Sequence, residues 1–315
     1  MQHEPTRRQV LIAATGTLGA TALVGDASSA AKAPPETKKW RIGLNTSSVH
    51  ADGDDAVVTK INAAAAAGYD AIEPWVRDID KYVKSGGSLD DLRKRIADAD
   101  MIVPSAVAFF HWLFSTDEKW TAALDEVKRA MEHVRAIGGT GIVAPPAGPQ
   151  DPLDMPDAGR RYRKLLEIGE QIGVTPFVEL WGFRETVNRL GECAGIAIEA
   201  HHPRAGIVPD IYHLYKGGSG FDTVRHLNGA FIKGFHFNDV PANMPRETIS
   251  DKDRVWPGDG VAPLGQVLKD LRAIGYTGVL SLELFNRTYW KQDPVTAAKT
   301  GLEKMRKVIA ESGTE

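Results

Sequence analysis

Between Thr175 and Asn286 four short apolar runs follow one another, and each ends in a residue able to hold a metal or move a proton. They read TPFVEL with Glu179, AGIVPDIYH with Asp210 and His213, FIKGFHFND with His236, and GVLSLELFN with Glu283. Helix-like segments lie between them. Short apolar runs alternating with helical patterns are βα units that build a parallel sheet. All strands of such a unit series end on one face, so Glu179, Asp210, His236 and Glu283 converge there. Three carboxylates and one imidazole suit a divalent cation of the Mn²⁺, Mg²⁺ or Co²⁺ kind. No thiolate is among them, which sets the group apart from a structural zinc site and makes zinc the less favoured metal.

The rest of the chain carries the same alternation. Trp40–Leu44 reads as a strand, Ala56–Ala67 as a helix and Ala71–Trp75 as the second strand. Leu92–Ala99 reads as a helix, Ile102–Ala106 as strand three and Ile142–Ala144 as strand four. Leu124, Val127, Met131 and Val134 mark a helical stripe, as do Leu264, Val267, Leu268 and Leu271 later on. Gly68, Gly138-Gly139, Gly173 and Gly275 each stand between a helix and the next strand, where glycine ends a helix cheaply. Asp293-Pro294 opens the last helix with an N-cap and an N1 proline. The expected fold is α/β, a (β/α)₈ TIM barrel in a single domain over residues 40–312.

Ahead of the barrel stands an expected signal segment over residues 1–33 and a linker over 34–39 containing Pro34-Pro35. Arg7-Arg8 precedes an apolar run diluted by Thr15, Gly16, Thr17, Gly19 and Thr21, and Ala31-Lys32-Ala33 offers small residues for cleavage. That pattern is similar to a twin-arginine (Tat) export signal, with an ordinary secretory signal as the alternative. The run is too short and interrupted to span a membrane stably. The expected location is periplasmic or secreted, with the Tat machinery as a partner of the precursor. Export in the folded state would also let the metal be loaded before copper or zinc competes for the ligands.

The 315 residues carry a net charge of −3, which argues against nucleic acid or anionic membrane as a partner held by bulk charge. Cys193 is the single cysteine, so neither an internal disulfide nor a cysteine-based metal site is available.

Several further residues carry chemistry. Trp181 and Glu185 follow Glu179, and His213 follows Asp210. Arg254 lies in the long 238–260 stretch, within reach of a substrate hydroxyl or an enediolate oxygen. Trp181, Trp112 and Trp256 either stack on a sugar or pack the barrel rim. Glu73 and His111 end strands two and three on the same face, as substrate contacts or as supports for the ligands. His201-His202 precedes strand six, on the opposite face, and is not a ligand pair.

Five segments, DRVWPGDG at 253–260, SLELFN with TYW at 281–290, HFND at 236–239, SLDDL at 88–92 and AFFHWLFSTDEK at 108–119, share a likeness. In them the chain resembles the xylose-isomerase-like sugar isomerase/epimerase superfamily, and most closely its inosose (2-keto-myo-inositol) isomerases. The likeness runs over nearly all of 40–309. It implies a metal held by Glu179, Asp210, His236 and Glu283, with Glu179 and Glu283 also acting as acid and base. It implies substrate contacts at Glu185, His213 and Arg254.

The expected activity is isomerisation or epimerisation of a keto-sugar or keto-inositol. The metal polarises the carbonyl and steadies an enediolate while one glutamate takes a proton and the other returns it. If a β-oxygen leaves instead, the same site is a lyase or dehydratase acting on a 3-keto-glycoside or inosose. A non-catalytic periplasmic sugar-binding protein is the other alternative, although binding alone does not need two opposed carboxylates. An endonuclease on this fold would need more histidines and a basic face. A homo-oligomer is compatible with all of these. The leader is the part most directly testable from sequence: replacing Arg7 and Arg8 by lysine is expected to hold the precursor in the cytoplasm. Undiminished periplasmic protein on fractionation would make the leader an ordinary secretory one.

Overall fold

The computed structural model describes residues 39–113, 117–148 and 152–315. The expected leader and the Pro34-Pro35 linker lie outside the described residues, as does part of the expected 108–119 likeness. The strands are β1 Arg41–Asn45, β2 Ala71–Glu73, β3 Ala106–Val107, β4 Gly141–Ala144, β5 Thr175–Glu179, β6 Ile207–Val208, β7 Phe235–Phe237 and β8 Val279–Leu282. All pairings between them are parallel and form two ladders, β2-β1-β8-β7 and β3-β4-β5-β6. Parallel bridges at Ala71–Ile102 and Trp75–Val107 join β2 to β3, and Ile207–Ile232 and Asp210–His236 join β6 to β7. The ring is closed, and the fold is the expected (β/α)₈ TIM barrel.

The helices are α1 Ala56–Ala67, α2 Val76–Lys84, α3 Leu89–Asp98, α4 Asp117–Ala136, α5 Met155–Ile172, α6 Leu190–Glu199, α7 Ile211–Gly217, α8 Leu264–Ala273 and α9 Pro294–Ser312. Helix α2 was not among the expected elements, because only Val76 and Ile79 of its nine residues bury apolar side chains. Gly68 and Gly173 cap α1 and α5 in the left-handed conformation, at φ 87° and 86°, as their place in the sequence suggested. Asp293 caps α9 by accepting from the Thr296 N–H at 2.9 Å. Three strands are shorter than the apolar pattern, and β2 stops at Glu73, before Pro74. Pro104 and Pro209 lack the N–H that a ladder needs, so β3 begins only at Ala106 and β6 stops at Val208.

Side-chain alternation along each strand sorts residues between two cores. Ile72, Ile142, Ala144, Val178, Phe235, Phe237, Leu280 and Leu282 face outward and pack against the helices in the main core. Trp75, Val107, Val143, Phe177 and Val208 form a separate cluster inside the barrel. Gly141 makes room for it, since a Cβ there would lie 2.3 Å from the Phe177 ring. The residues beside those outward positions, Glu73, Glu179, His236, Ser281 and Glu283, therefore point into the barrel. Inward-facing polar groups are concentrated at one end of it.

That end is tightly built. Gly217 at the end of α7 approaches the loop after β5 so closely that a Cβ would lie 1.8 Å from the Asn188 carbonyl oxygen. Gly217→Ala is expected to cost about 1–3 kcal/mol by overpacking. Gly191→Ala, in the first turn of α6 with open space around it, is expected to gain about 0.5 kcal/mol. Urea denaturation of both variants checks this contrast, and equal effects would contradict it.

Candidate active site

The site is built around His236 at the middle of β7. Its ring is fully buried. Nδ1 lies 3.0 Å from Glu179 Oε1, 3.3 Å from Glu283 Oε2 and 3.8 Å from Asp210 Oδ2. Nε2 lies 3.0 Å from Glu73 Oε2. Despite these short distances, neither nitrogen is aligned for a hydrogen bond. Ligand atoms of Glu179, His236 and Glu283 all lie within 4.8 Å of one another. Donor atoms each about 2.1 Å from a common cation have separations in this range.

The charge balance points the same way. Glu73, Glu179, Asp210 and Glu283 are each no more than 3% exposed. Against these four carboxylates Arg254 is the one permanent cation, and with His236 neutral, as a metal ligand must be, three negative charges lack a counterpart. Buried unpaired charge is costly, and a dication would offset most of this surplus. The residues present thus fit a divalent metal by donor type, spacing and charge.

Asp210 stands slightly apart from the other three. Its Oδ1 caps α7 by accepting from the His213 N–H at 2.9 Å, and its Oδ2 accepts from Asn238 Nδ2 at 3.1 Å and Arg254 Nη1 at 2.9 Å. The structure brings Glu179, His236 and Glu283 into one group, with Asp210 beside them and already engaged.

The surroundings push the two central glutamates apart. Burial is the largest influence on Glu179 and raises it to about 7, with the Glu283 and Asp210 charges adding to the rise against the pull of His236. Burial also works to raise Glu283, but His236 and Arg254 outweigh it and hold the carboxyl below its ordinary value. Glu73 is likewise brought down to about 2, because His236, Ser105 and Ser281 overcome burial.

Behind His236 the floor is a fixed polar lattice. Asn45 Nδ2 donates to Glu73 Oε2 at 2.9 Å and to Glu283 Oε1 at 3.0 Å. Ser281 Oγ donates to Glu73 at 2.7 Å, and Ser105 donates to its other oxygen. Glu73 therefore backs the imidazole rather than facing the cavity, the usual place of a carboxylate that orients a metal-bound histidine.

Arg254 is 1% exposed and spans the site. Nη1 donates to Asp210 and to Glu283 at 2.9 Å each, and Nη2 donates to Asp251 at 2.6 Å. Its guanidinium lies 4.3 Å from the Tyr212 ring centre. The loop that delivers it is clamped by Asp239, whose carboxylate accepts from the N–H groups of Val240, Gly258, Gly260 and Ala262 at 2.8–3.1 Å. A Cβ at position 260 would lie 2.2 Å from the Val240 carbonyl oxygen, so the WPGDG run owes its last glycine to this close approach.

His213 accepts a hydrogen bond at Nδ1 from the Gly182 N–H, 3.2 Å away. Burial drives its pKa down to about 3, so the ring is neutral and its proton sits on Nε2. That nitrogen is 3.3 Å from Arg254 Nη2. Two donors do not bond each other, and both residues line the cavity, where an oxygen could accept from them.

The cavity holds about 520 Å³ including its mouth, with Glu179, His213, Asp251, Arg254 and Glu283 as its polar lining. Its walls are Trp75, Phe109, Trp181, Phe183 and Phe285. Trp181 donates its indole N–H to Glu179 Oε2 at 3.0 Å. Three of the expected substrate contacts are placed elsewhere. Trp112 is fully buried, donates to the Pro145 carbonyl at 2.9 Å and packs on Tyr162, so it belongs to the helix-side core. Phe109 takes the wall position instead. Glu185 is exposed beyond Phe183, and His111 is exposed next to Gly148; neither lines the cavity.

Of the aromatic wall only Trp181 was expected, yet the rest has a signal. Trp75, Phe109, Trp181 and Phe285 each stand two residues after the last inward residue of their strand: Glu73, Val107, Glu179 and Glu283. A period of two keeps them on the inward side. His201 and His202 lie before β6, away from the site, and His202 meets Glu170 at 3.4 Å.

Comparison with known proteins gives the chain its family. The chain is 30% identical over 254 residues to the inosose isomerase of Bacillus velezensis, covering 77% of this chain and 88% of that protein. It is 25% identical over 231 residues to the 3-dehydroshikimate dehydratase of Pseudomonas putida, 72% of this chain but only 36% of that one. Among solved structures, the IOLI protein with a binding zinc atom superposes with a TM-score of 0.79 at 24% identity, covering 86% of this chain and 99% of that one. A family model for the xylose isomerase-like TIM barrel matches residues 61–308. The chain is therefore an enzyme of the isomerase and epimerase kind and belongs to the xylose isomerase-like TIM barrel family.

Proposed function

We propose that this protein isomerises or epimerises a keto-sugar or keto-cyclitol by moving a proton at the carbon beside the carbonyl. The observation that carries the reading is the pair Glu179 and Glu283, both buried, meeting His236 Nδ1 from two different strands at the base of one cavity. The inosose isomerase relative supports the cyclitol class.

Glu179, His236 and Glu283, with Asp210 beside them, would hold a divalent metal. The donor set of carboxylates and a single imidazole favours Mn²⁺, Mg²⁺ or Co²⁺. When bound, such a cation polarises a carbonyl and offsets negative charge on its oxygen. The chain's own residues do the rest. One glutamate accepts the proton, and the other returns it, to the opposite face in an epimerisation or to the neighbouring carbon in an isomerisation. His213 Nε2–H and Arg254 are donors for the oxygen that gains charge, and the aromatic walls keep water away from it. Trp181 holds Glu179 through its indole N–H and so limits how that carboxylate can turn.

A second reading is a dehydratase, favoured by the Pseudomonas putida relative. In that case a hydroxyl β to the carbonyl leaves after the proton is taken, and the returning glutamate protonates the leaving oxygen. Product analysis separates the two, since only dehydration loses water from the substrate.

The test uses metal-loaded protein, inososes and keto-sugars in D₂O, read by NMR. Deuterium is expected at the carbon beside the carbonyl of the true substrate. Glu179→Gln and Glu283→Gln, with metal content verified, are each expected to lower net turnover by about 10²–10⁴-fold. One of them should still exchange protium for deuterium, because its remaining base works on one face alone. Wild-type turnover in either variant would make that glutamate a ligand only.

A further inference from the structure

A second cavity opens beside the first. It is framed by the β1–α1 segment, the start of α2 and the segment after β8, all at the catalytic end of the barrel. Its space is about 910 Å³ including the mouth. Phe285 lines both cavities. Trp75, a wall of the catalytic pocket, meets Phe285 edge-on at 5.7 Å, and Arg77 of the second cavity sits 4.0 Å from the Trp75 ring centre. Aromatic rings thus stand where the two spaces meet.

Three features of the second cavity suit a sugar ring. Trp290 lines it and is held in place by an indole N–H bond to the Ser47 carbonyl at 2.8 Å and by stacking on His50 at 5.5 Å and 20°. A fixed indole is an apolar platform that loses little entropy on binding. Ser47 also lines the cavity, is 7% exposed, and its hydroxyl has no hydrogen-bond partner. A buried hydroxyl without a partner is costly unless a ligand supplies one. The charges, finally, are largely matched: Lys60 bonds Asp78 at 2.8 Å, and His50 faces Asp52 at 3.2 Å. Arg77 lies 3.9 Å from the same Asp78 and against the Trp75 ring, and Lys81 lines the cavity as a further donor.

We propose that this cavity is a subsite for the second ring of a two-ring substrate, a glycoside whose oxidised ring occupies the catalytic pocket. The linkage crosses the Phe285 edge, the second ring lies against Trp290, and Ser47 Oγ bonds one of its hydroxyls. The proposal rests on the keto-sugar reading for the identity of the first ring.

The experiment compares 3-keto-sucrose with 3-keto-glucose on the metal-loaded protein, by calorimetric affinity and by deuterium exchange. Wild type is expected to bind the two-ring compound about 10-fold more tightly. Trp290→Ala is expected to remove that advantage while leaving affinity and exchange for the one-ring compound within about two-fold. Ser47→Ala, a smaller change, should remove part of the advantage by the same selective pattern, and it serves if the tryptophan variant does not fold. Equal affinity for both compounds, or a loss that falls on both alike, overturns the subsite. A Trp290-dependent advantage without any deuterium exchange upholds the subsite and overturns the proton-transfer reading. Exchange in both compounds with no advantage does the reverse.

Discussion

Four carboxylates, those of Glu73, Glu179, Asp210 and Glu283, surround the imidazole of His236 almost wholly out of water. Arg254 is the one permanent cation in contact with them among the described residues. A charge surplus of this kind in a protein interior is expensive unless each group is paired or hydrogen-bonded. Much of the surrounding structure serves to meet that cost. Asn45, Ser105 and Ser281 satisfy Glu73, Asn238 and the first turn of α7 satisfy Asp210, and Trp181 satisfies Glu179. What remains unbalanced is the space between Glu179, Glu283 and His236 Nδ1. A metal there would couple the energy of the site to the stability of the barrel mouth.

The barrel supplies the rigidity this arrangement requires. Alternation along the strands sends Glu73, Glu179, His236 and Glu283 inward, while their neighbours Ile72, Val178, Phe235, Phe237 and Leu282 lock the same strands against the helices. A group held by a strand whose other face is packed cannot easily turn away from the axis. Arg254 comes instead from a long loop, and its position depends on the four N–H bonds that Asp239 accepts. The sharp turns at Gly258 and Gly260 serve the same carboxylate. Chemistry-bearing residues thus stand on two kinds of support, ladder and clamp.

The barrel and its metal-type residues were legible because both follow a strand's simple rule. Apolar runs ending in Glu179, Asp210, His236 and Glu283 were bounded by helical stripes and glycines at intervals that only a βα repeat explains. Strand edges were less legible where proline intervenes, as at Pro104 and Pro209, since apolar content says nothing about the missing N–H. Loop residues were the hardest. In FFHW at 109–112 the aromatics are adjacent, so composition does not say which one faces the cavity; the structure turns Phe109 inward and Trp112 toward Tyr162. Glu185 lies past a bend at Phe183 that no periodic pattern marks. Of the aromatic wall Trp181 was expected outright, whereas Trp75, Phe109 and Phe285 were readable only by counting two residues past each inward position.

In the proposed function His236 would offer Nδ1 to a divalent cation shared with Glu179 and Glu283. Pulsed electron paramagnetic resonance on Mn²⁺-loaded protein reads this directly, because a coordinated imidazole nitrogen modulates the electron spin echo. Modulation from one imidazole nitrogen is expected, absent in His236→Gln protein given the same Mn²⁺. Nitrogen modulation that persists in that variant, or none in the wild type, would contradict it.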